Sequence, residues 1–222
     1  MAELPFRDRK DAGARLAEVL ATMQIEPGAV VLGLPRGGIP VGYEIARGLN
    51  LQLDFLNIRK LGVPWQPEVA MGAVGEDGIP HLDSDLVRSL AITSEQIKRV
   101  RDRELNVIRE RKKGYRGYAP TADLQARQVI LVDDGIATGA TMDLAIEMVR
   151  NAGARSLILA IPAGPEGTTE KYGDMVDHCI CLQGPADFNY VGQFYRNFDA
   201  VTDEEVCELL RASFQALNRG AS

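Results

Sequence analysis

Histidine occurs twice, tryptophan once and cysteine three times in these 222 residues, and each scarcity excludes something. With His81 and His178 as the whole imidazole supply, a catalytic triad or a histidine-rich zinc centre has little to build on. Cys179, Cys181 and Cys207 form no Cys-x-x-Cys pair, and their odd number argues for reduced thiols rather than a disulfide framework. Cys179 and Cys181 are expected on opposite faces of a strand or on its edge. No apolar run approaches the roughly 20 residues of a membrane span, and the N-terminus lacks the apolar core of a signal peptide. A cytoplasmic protein without membrane contact is expected. Gly-x-Gly-x-x-Gly, Walker A, Gly-x-Ser-x-Gly and His-Glu-x-x-His are all missing. Positive charge is also in deficit. A net charge of −6 and a pI near 5.1 disfavour a general binder of nucleic acid or anionic membrane.

What remains is ordinary globular material, 45% hydrophobic and 25% charged, of a length that suits one α/β domain. Residues 7–23 carry Ala12, Leu16, Val19, Leu20 and Met23 at helical spacing. A strand is expected at 29–34, a helix from the following turn to Gly48, and a second strand at 51–58. Residues 61–80 are interrupted by glycine and proline and read as a long loop, with a hairpin around 69–74 and 79–82. Helices are expected at 83–90 and 93–113, the latter opened by a Thr93-x-x-Gln96 capping box. Strands follow at 129–132, 157–161 and 177–182, with a short helix after Pro165. Residues 183–201 look irregular and aromatic, and a closing helix spans 203–217. Strands alternating with helices predict an α/β fold, a mainly parallel sheet flanked by helices. The whole chain, 1–222, reads as one domain. It carries a helical insertion at about 78–125 and a small hood made of the aromatic loop and closing helix at 183–217.

The most informative stretch is 129–142, Val-Ile-Leu-Val-Asp-Asp-Gly-Ile-Ala-Thr-Gly-Ala-Thr-Met. Four apolar residues read as a strand buried on both faces. Asp133 and Asp134 end it, a turn of small residues follows, and Thr141 opens a helical pattern that stops at Gly153. Backbone N–H groups of Ala137, Thr138, Gly139, Ala140 and Thr141 can cradle a phosphate, because small side chains let an anion approach a helix N-terminus. The two carboxylates suit the vicinal hydroxyls of a ribose, which donate hydrogen bonds to them. A βα turn with an aspartate N-cap would explain one acid but not the pair.

A second turn, Leu34-Pro35-Arg36-Gly37-Gly38, would lie beside the first at the carboxyl ends of the strands. Arg36 offers a fork-shaped cation and Gly37 a close N–H, a combination that suits pyrophosphate. Arg59 and Lys60 follow the second strand and would point at the same crevice. Phe188, Tyr190 and Phe194 could flank a planar base or could plug the core. Residues 98–116 hold nine Lys/Arg against three Asp/Glu, which reads as a solvated helix face, with Ile97, Val100, Leu105 and Ile108 turned inward.

The acid-pair strand with its Thr-Gly-x-Thr-type loop resembles the PRPP-binding motif of type I phosphoribosyltransferases. The Arg36 loop is similar to the pyrophosphate loop of that family, with Pro35 where bacterial 6-oxopurine enzymes carry serine. The stretch 54–74 is similar to an uncharacterised bacterial group within it. This resemblance implies magnesium-dependent phosphoribosyl transfer from PRPP to a nitrogenous acceptor, in kind a nucleobase, with release of pyrophosphate. It implies that Asp133 and Asp134 are the catalytic acids and that 137–141 hold the 5′-phosphate. Arg36, Gly37, Arg59 and Lys60 would then receive pyrophosphate. Mg²⁺ would be held through substrate and water near the acid pair, with no direct protein ligand. The resemblance further implies a cis peptide between Pro35 and Arg36, a closing lid at 62–78 and a homo-oligomer, in kind a dimer. Ala137 stands where hypoxanthine–guanine enzymes carry aspartate, which weakens that acceptor class and is closer to the adenine form. Two other readings remain: a PRPP-sensing regulator that binds RNA, favoured by the basic stretch and opposed by the acidic pI, and a fold kept only for subunit contacts.

Overall fold

A computed structural model describes residues 5–118 and 121–220. Helix α1 spans Arg9–Leu20, with Asp8 as its N-cap accepting from the Asp11 N–H. Strand β1 (Val30–Gly33), helix α2 (Gly38–Leu49) and strand β2 (Gln52–Phe55) form a first βαβ unit. The second strand is shorter than its apolar run suggested. Later come β6 (Gln128–Val132), α5 (Ala140–Asn151), β7 (Ser156–Ala163), α6 (Thr168–Gly173), β8 (His178–Gln183) and α7 (Asp203–Gly220).

The main sheet has the order β2-β1-β6-β7-β8, and every pairing in it is parallel. Its strands carry apolar residues on both faces, as a parallel sheet covered by helices requires. Period-2 alternation divides them. Val31, Ile130, Val132, Ile158 and Ala160 meet Leu16, Leu20, Ile45, Val206 and Leu210 of α1, α2 and α7. Leu32, Leu131, Leu157, Leu159 and Ile161 meet Met142, Ala145, Ile146 and Val149 of α5 and Tyr172 of α6. Cys179 and Cys181 lie on the edge strand β8 and pack against this second cluster together. Residues two apart on a strand share a face, so the opposite-faces expectation is corrected. All three cysteines are free thiols.

Between β2 and β6 the chain builds a second layer. Strands β3 (Arg59–Val63), β4 (Gln66–Val74) and β5 (Pro80–Leu82) form an antiparallel sheet in that order. Helices α3 (Ser84–Ser89) and α4 (Ser94–Arg116) follow, α4 with the Thr93–Gln96 capping box. The expected hairpin is present, but most of the expected loop at 61–80 is strand as well. Its apolar residues Leu61, Val63, Met71 and Val74 meet Val100, Leu105 and Ile108 of α4. That cluster begins at β3, so the inserted unit starts well before residue 78. Two glycines explain why strand pairing hides behind a loop-like composition. A Cβ at Gly72 would sit 2.1 Å from the His81 carbonyl oxygen, and one at Gly62 would sit 2.4 Å from that of Pro67. Both mark close backbone approach, and the register shifts beside Gly62.

Candidate active site

Strand order reverses between β1 and β6, which run side by side although α2 and the inserted unit separate them in sequence. Ligands in open α/β sheets bind at such a switch point, outside the carboxyl ends of the strands. Both informative turns emerge there. The Leu34 N–H still donates to the Val132 carbonyl at 2.9 Å, so the Arg36 turn leaves the sheet directly beside the acid pair. A Cβ at Gly38 would lie 2.7 Å from Val132 O and 3.0 Å from Asp133 Cα, while one at Gly37 would lie 2.0 Å from Asp134 Oδ2. Only glycine lets the two turns touch in this way. The peptide joining Pro35 to Arg36 is cis, as the resemblance implied.

Asp133 Oδ1 accepts the Asp134 N–H at 2.8 Å. Burial, reinforced by the adjacent Asp134 charge, holds the Asp133 carboxyl well above the usual carboxylate range. Burial also raises Asp134, and Arg9 opposes that rise. Arg9 of α1 donates from Nε to Asp134 Oδ2 at 2.8 Å, with its guanidinium 3.9 Å from the centre of the Phe198 ring. Tyr195 donates its hydroxyl to the Asp134 carbonyl at 2.6 Å. Burial, then Asp134, pushes the phenol's pKa upward and keeps it a donor. Sequence reasoning missed Arg9 and Phe198, and it passed over Tyr195 although that residue ends the aromatic stretch 187–195.

The turn after the acid pair ends at Gly139, whose φ of 91° places it in the left-handed region at the N-cap of α5. No side chain caps this helix, so its first N–H groups are available to an anion. Ala137 and Thr138 are exposed at the rim. A Cβ on Gly139 would meet the Lys171 amine and the Tyr172 hydroxyl, both at 2.6 Å. Lys171 and Tyr172 are themselves tied to Asp143 at 3.2 and 2.8 Å.

The remaining predicted residues divide. Arg59 faces α4, donating to Glu104 at 2.9 Å. Lys60, its neighbour on β3, faces the other way and donates to the Glu68 carbonyl at 3.1 Å. Adjacent strand residues point to opposite faces, so the expectation that both enter one crevice is corrected. Phe194 is only 2% exposed and belongs to a core cluster with Phe6 and Tyr195, and Phe188 stacks on it at 5.4 Å. Those two rings plug the core. Tyr190, 63% exposed, is the member of the trio with a free ring face. The 3₁₀ turn Val191–Phe194 nevertheless overlies the site, since a Cβ at Gly135 would strike Val191 Cγ1 at 2.5 Å.

Most of the basic helix face is neutralised. Arg99, Arg101, Arg103, Lys112 and Lys113 pair with Glu95, Asp102, Glu104, Glu76 and Glu110. Arg116 pairs with the buried Asp54 beneath it. Arg111, expected in solvent, is only 14% exposed and turns towards Asp203 at 3.5 Å. Among the described residues, no group of three or more His, Cys, Asp or Glu gathers as a metal cage, and no helix is long and apolar enough to cross a membrane.

Comparison with known proteins agrees with this arrangement. A model of the phosphoribosyl transferase domain matches residues 9–197. The protein TT1426 of Thermus thermophilus is 41% identical in sequence, superposes with a TM-score of 0.78, and covers 94% of this chain and 99% of its own. A Mycobacterium tuberculosis H37Rv protein, provisionally named a phosphoribosyl transferase, is 43% identical over 205 residues, 92% of this chain and 46% of its own. This chain thus spans about half the length of the curated relatives it matches. An adenine phosphoribosyltransferase of Corynebacterium efficiens is 38% identical over 60 residues, 26% of this chain and 31% of its own. The chain belongs to the phosphoribosyl transferase domain family.

Proposed function

We propose that this protein transfers the phosphoribosyl group of PRPP to a nitrogenous small molecule, in kind a nucleobase, and releases pyrophosphate. The observation that carries the reading is the contact of Gly37 with Asp134, which joins a cationic turn, an acid pair and an uncapped helix start at one switch point. A phosphosugar with a 5′-phosphate, a diol and a pyrophosphate offers three groups in that order. The N-terminal N–H groups of α5 and the loop 137–141 take the 5′-phosphate, Asp133 and Asp134 accept from the ribose hydroxyls, and Arg36 with Gly37 receives pyrophosphate.

In the reaction a nitrogen–C1 bond forms as the C1–oxygen bond to pyrophosphate breaks, pyrophosphate leaves with the bonding pair, and the proton of the acceptor nitrogen passes to water or to the departing pyrophosphate. The sugar passes through an oxocarbenium-like state. Ionised carboxylates at the ribose face oppose that positive charge, and their effect is largest in a site from which water is excluded. No protein nucleophile is required. The donor set at the crevice is hard oxygen in character and fits Mg²⁺, which keeps most of its waters and binds mainly through substrate phosphates. When bound there, Mg²⁺ would supply charge neutralisation at the leaving pyrophosphate. Ala137 and the partial match to an adenine enzyme support an acceptor without the 6-oxopurine contact.

The test is thermal denaturation with PRPP and Mg²⁺, followed by assay of pyrophosphate release with candidate bases. Ligand at 100 times Kd stabilises by about 2.7 kcal/mol. Free bases alone should shift the melting temperature little. A folded protein that does not respond to millimolar PRPP with Mg²⁺ overturns the reading.

A further inference from the structure

Three guanidinium groups converge beside the Arg36 turn, and one of them comes from an unexpected element. Arg111 of α4 lies 3.5 Å from Asp203, the first residue of α7, and Arg36 lies 3.9 Å from the other oxygen of the same carboxylate. Tyr115 donates its hydroxyl to Asp203 as well. Arg59 approaches from β3, held by Glu104. Burial lowers the Arg111 pKa, with Arg59 and Arg36 adding to the fall while Tyr115 and Asp203 oppose it. Two carboxylates face three arginines here, and Glu104 is shared further with Arg103. Glu104 holds Arg59 closely, but Asp203 meets Arg111 and Arg36 only at 3.5 and 3.9 Å, and two partly desolvated arginines so loosely paired suit a polyvalent anion.

We propose that Arg111 is a further pyrophosphate-binding side chain, and that Asp203 is an internal counter-anion that the pyrophosphate group displaces from Arg36 and Arg111. The proposal rests on the phosphoribosyl-transfer reading and deepens it. Asp203 is half exposed, at 48%, and begins a helix, so its carboxylate can turn from the two arginines towards solvent without breaking a strand, at the cost of the hydrogen bond it accepts from the buried Tyr115 hydroxyl. Arg111, anchored at mid-helix, would then meet an oxygen of the leaving group. The inserted unit would thereby supply a side chain to the reaction, in addition to covering the sheet.

The two residues predict opposite signs. Calorimetric titration with pyrophosphate and Mg²⁺ should show Arg111→Gln weakening affinity by roughly 10- to 150-fold, the worth of a charge-assisted hydrogen bond, with a shallower salt dependence. Asp203→Asn should tighten affinity several-fold, because the arginines lose their internal competitor. A purely structural ion pair between α4 and α7 predicts a lower melting temperature for both variants and an unchanged pyrophosphate affinity. If Arg111→Gln does not fold, Arg111→Lys keeps the charge and should bind more weakly than wild type. Asp203→Asn decides independently, and equal or weaker binding by that variant overturns the proposal. Wild-type protein that binds neither pyrophosphate nor PRPP with Mg²⁺ overturns this proposal and the underlying reading together. Wild-type binding with both variants unchanged overturns this proposal alone.

Discussion

Arg9 and Asp134, 125 positions apart, form a mostly buried ion pair at 2.8 Å, with side-chain exposures of 12% and 16%. The pair links the first helix to the acid that faces the Arg36 turn. It supplies the nearest positive charge to a carboxylate that burial would otherwise protonate more readily.

Arg9→Met should therefore act on both stability and pH response. Removing one partner of a buried pair leaves an uncompensated charge and costs about 3–5 kcal/mol. The residual water access here places the expected value at the lower end. Without Arg9 the Asp134 carboxyl rises further, so the acidic limb of the turnover–pH profile should move to higher pH. Melting curves and a pH profile check the two effects. A variant that is destabilised with an unmoved acidic limb would show that Arg9 only braces the helix.

Asp133→Asn should raise stability while lowering activity. The sign follows from the direction of the shift, since both acids titrate above their ordinary values in the folded chain. Between the ordinary carboxylate value, near 3.9, and the raised folded values, the folded chain holds protons that the unfolded chain has released. Stability of the unliganded protein accordingly falls as pH climbs through that window, and the deficit persists at neutral pH. Replacing Asp133 with the neutral isostere removes much of this slope. The melting temperature at neutral pH should rise by a few degrees, the scale of about 1 kcal/mol in a domain of this size. Turnover should drop by roughly 10- to 150-fold, the equivalent of one charge-assisted hydrogen bond. Asp134→Asn should lower turnover by a similar factor but gain less stability, because it also strands Arg9.

The acid-pair strand, its turn and the helix after it were legible because every determinant is local. A buried apolar run, two acids and small residues lie within 14 positions of one another. Arg36 and Gly37 were legible for the same reason. The other half of the site was not. Arg9, Tyr195, Phe198 and Asp203 reach the crevice from the two ends of the chain, and nothing in their own neighbourhoods marks them as anything but surface polar or aromatic residues. Arg59 and Lys60 were expected at one crevice, but Arg59 opens a strand, and that divides them between two faces. Gly62, Pro64, Pro67 and Gly72 disguised β3 and β4 as a loop. Phe194 illustrates the opposite error: its aromatic loop suggested a ligand platform, and tertiary packing took the ring for the core.

The inserted unit should be sensitive to truncation where α4 meets its sheet. Ile108 is 2% exposed and packs in the cluster with Leu61, Val63, Met71 and Val74. Ile108→Ala should cost about 2–5 kcal/mol, the range for an aliphatic side chain whose site collapses only in part. Glu104 and Arg111 sit on the same helix, so pyrophosphate affinity should fall with it. Urea denaturation checks the first effect. A cost under about 1 kcal/mol would mean that this cluster contributes little to the fold.

Gly37→Ala tests the contact between the two turns most directly. The new Cβ would lie 2.0 Å from Asp134 Oδ2 and 2.4 Å from its Cγ, distances that no packed pair of atoms sustains. The φ of Gly37 is −62°, a value that alanine adopts without strain, so the substitution adds a clash and no backbone penalty. What must give is the Asp134 side chain, which Arg9 holds in place. The chain should still fold, with a loss of about 1–3 kcal/mol for overpacking, while PRPP affinity falls more than tenfold as the acid is pushed off the ribose face. Coupling decides the cause. In Arg9→Met the acid is already free to move, so adding Gly37→Ala should cost much less stability than it does in wild type. A double-mutant cycle reads that difference, which for residues in one network is about 0.5–3 kcal/mol. Strict additivity would show that Gly37 and Arg9 do not act on the same carboxylate, and that the two turns are not joined through Asp134.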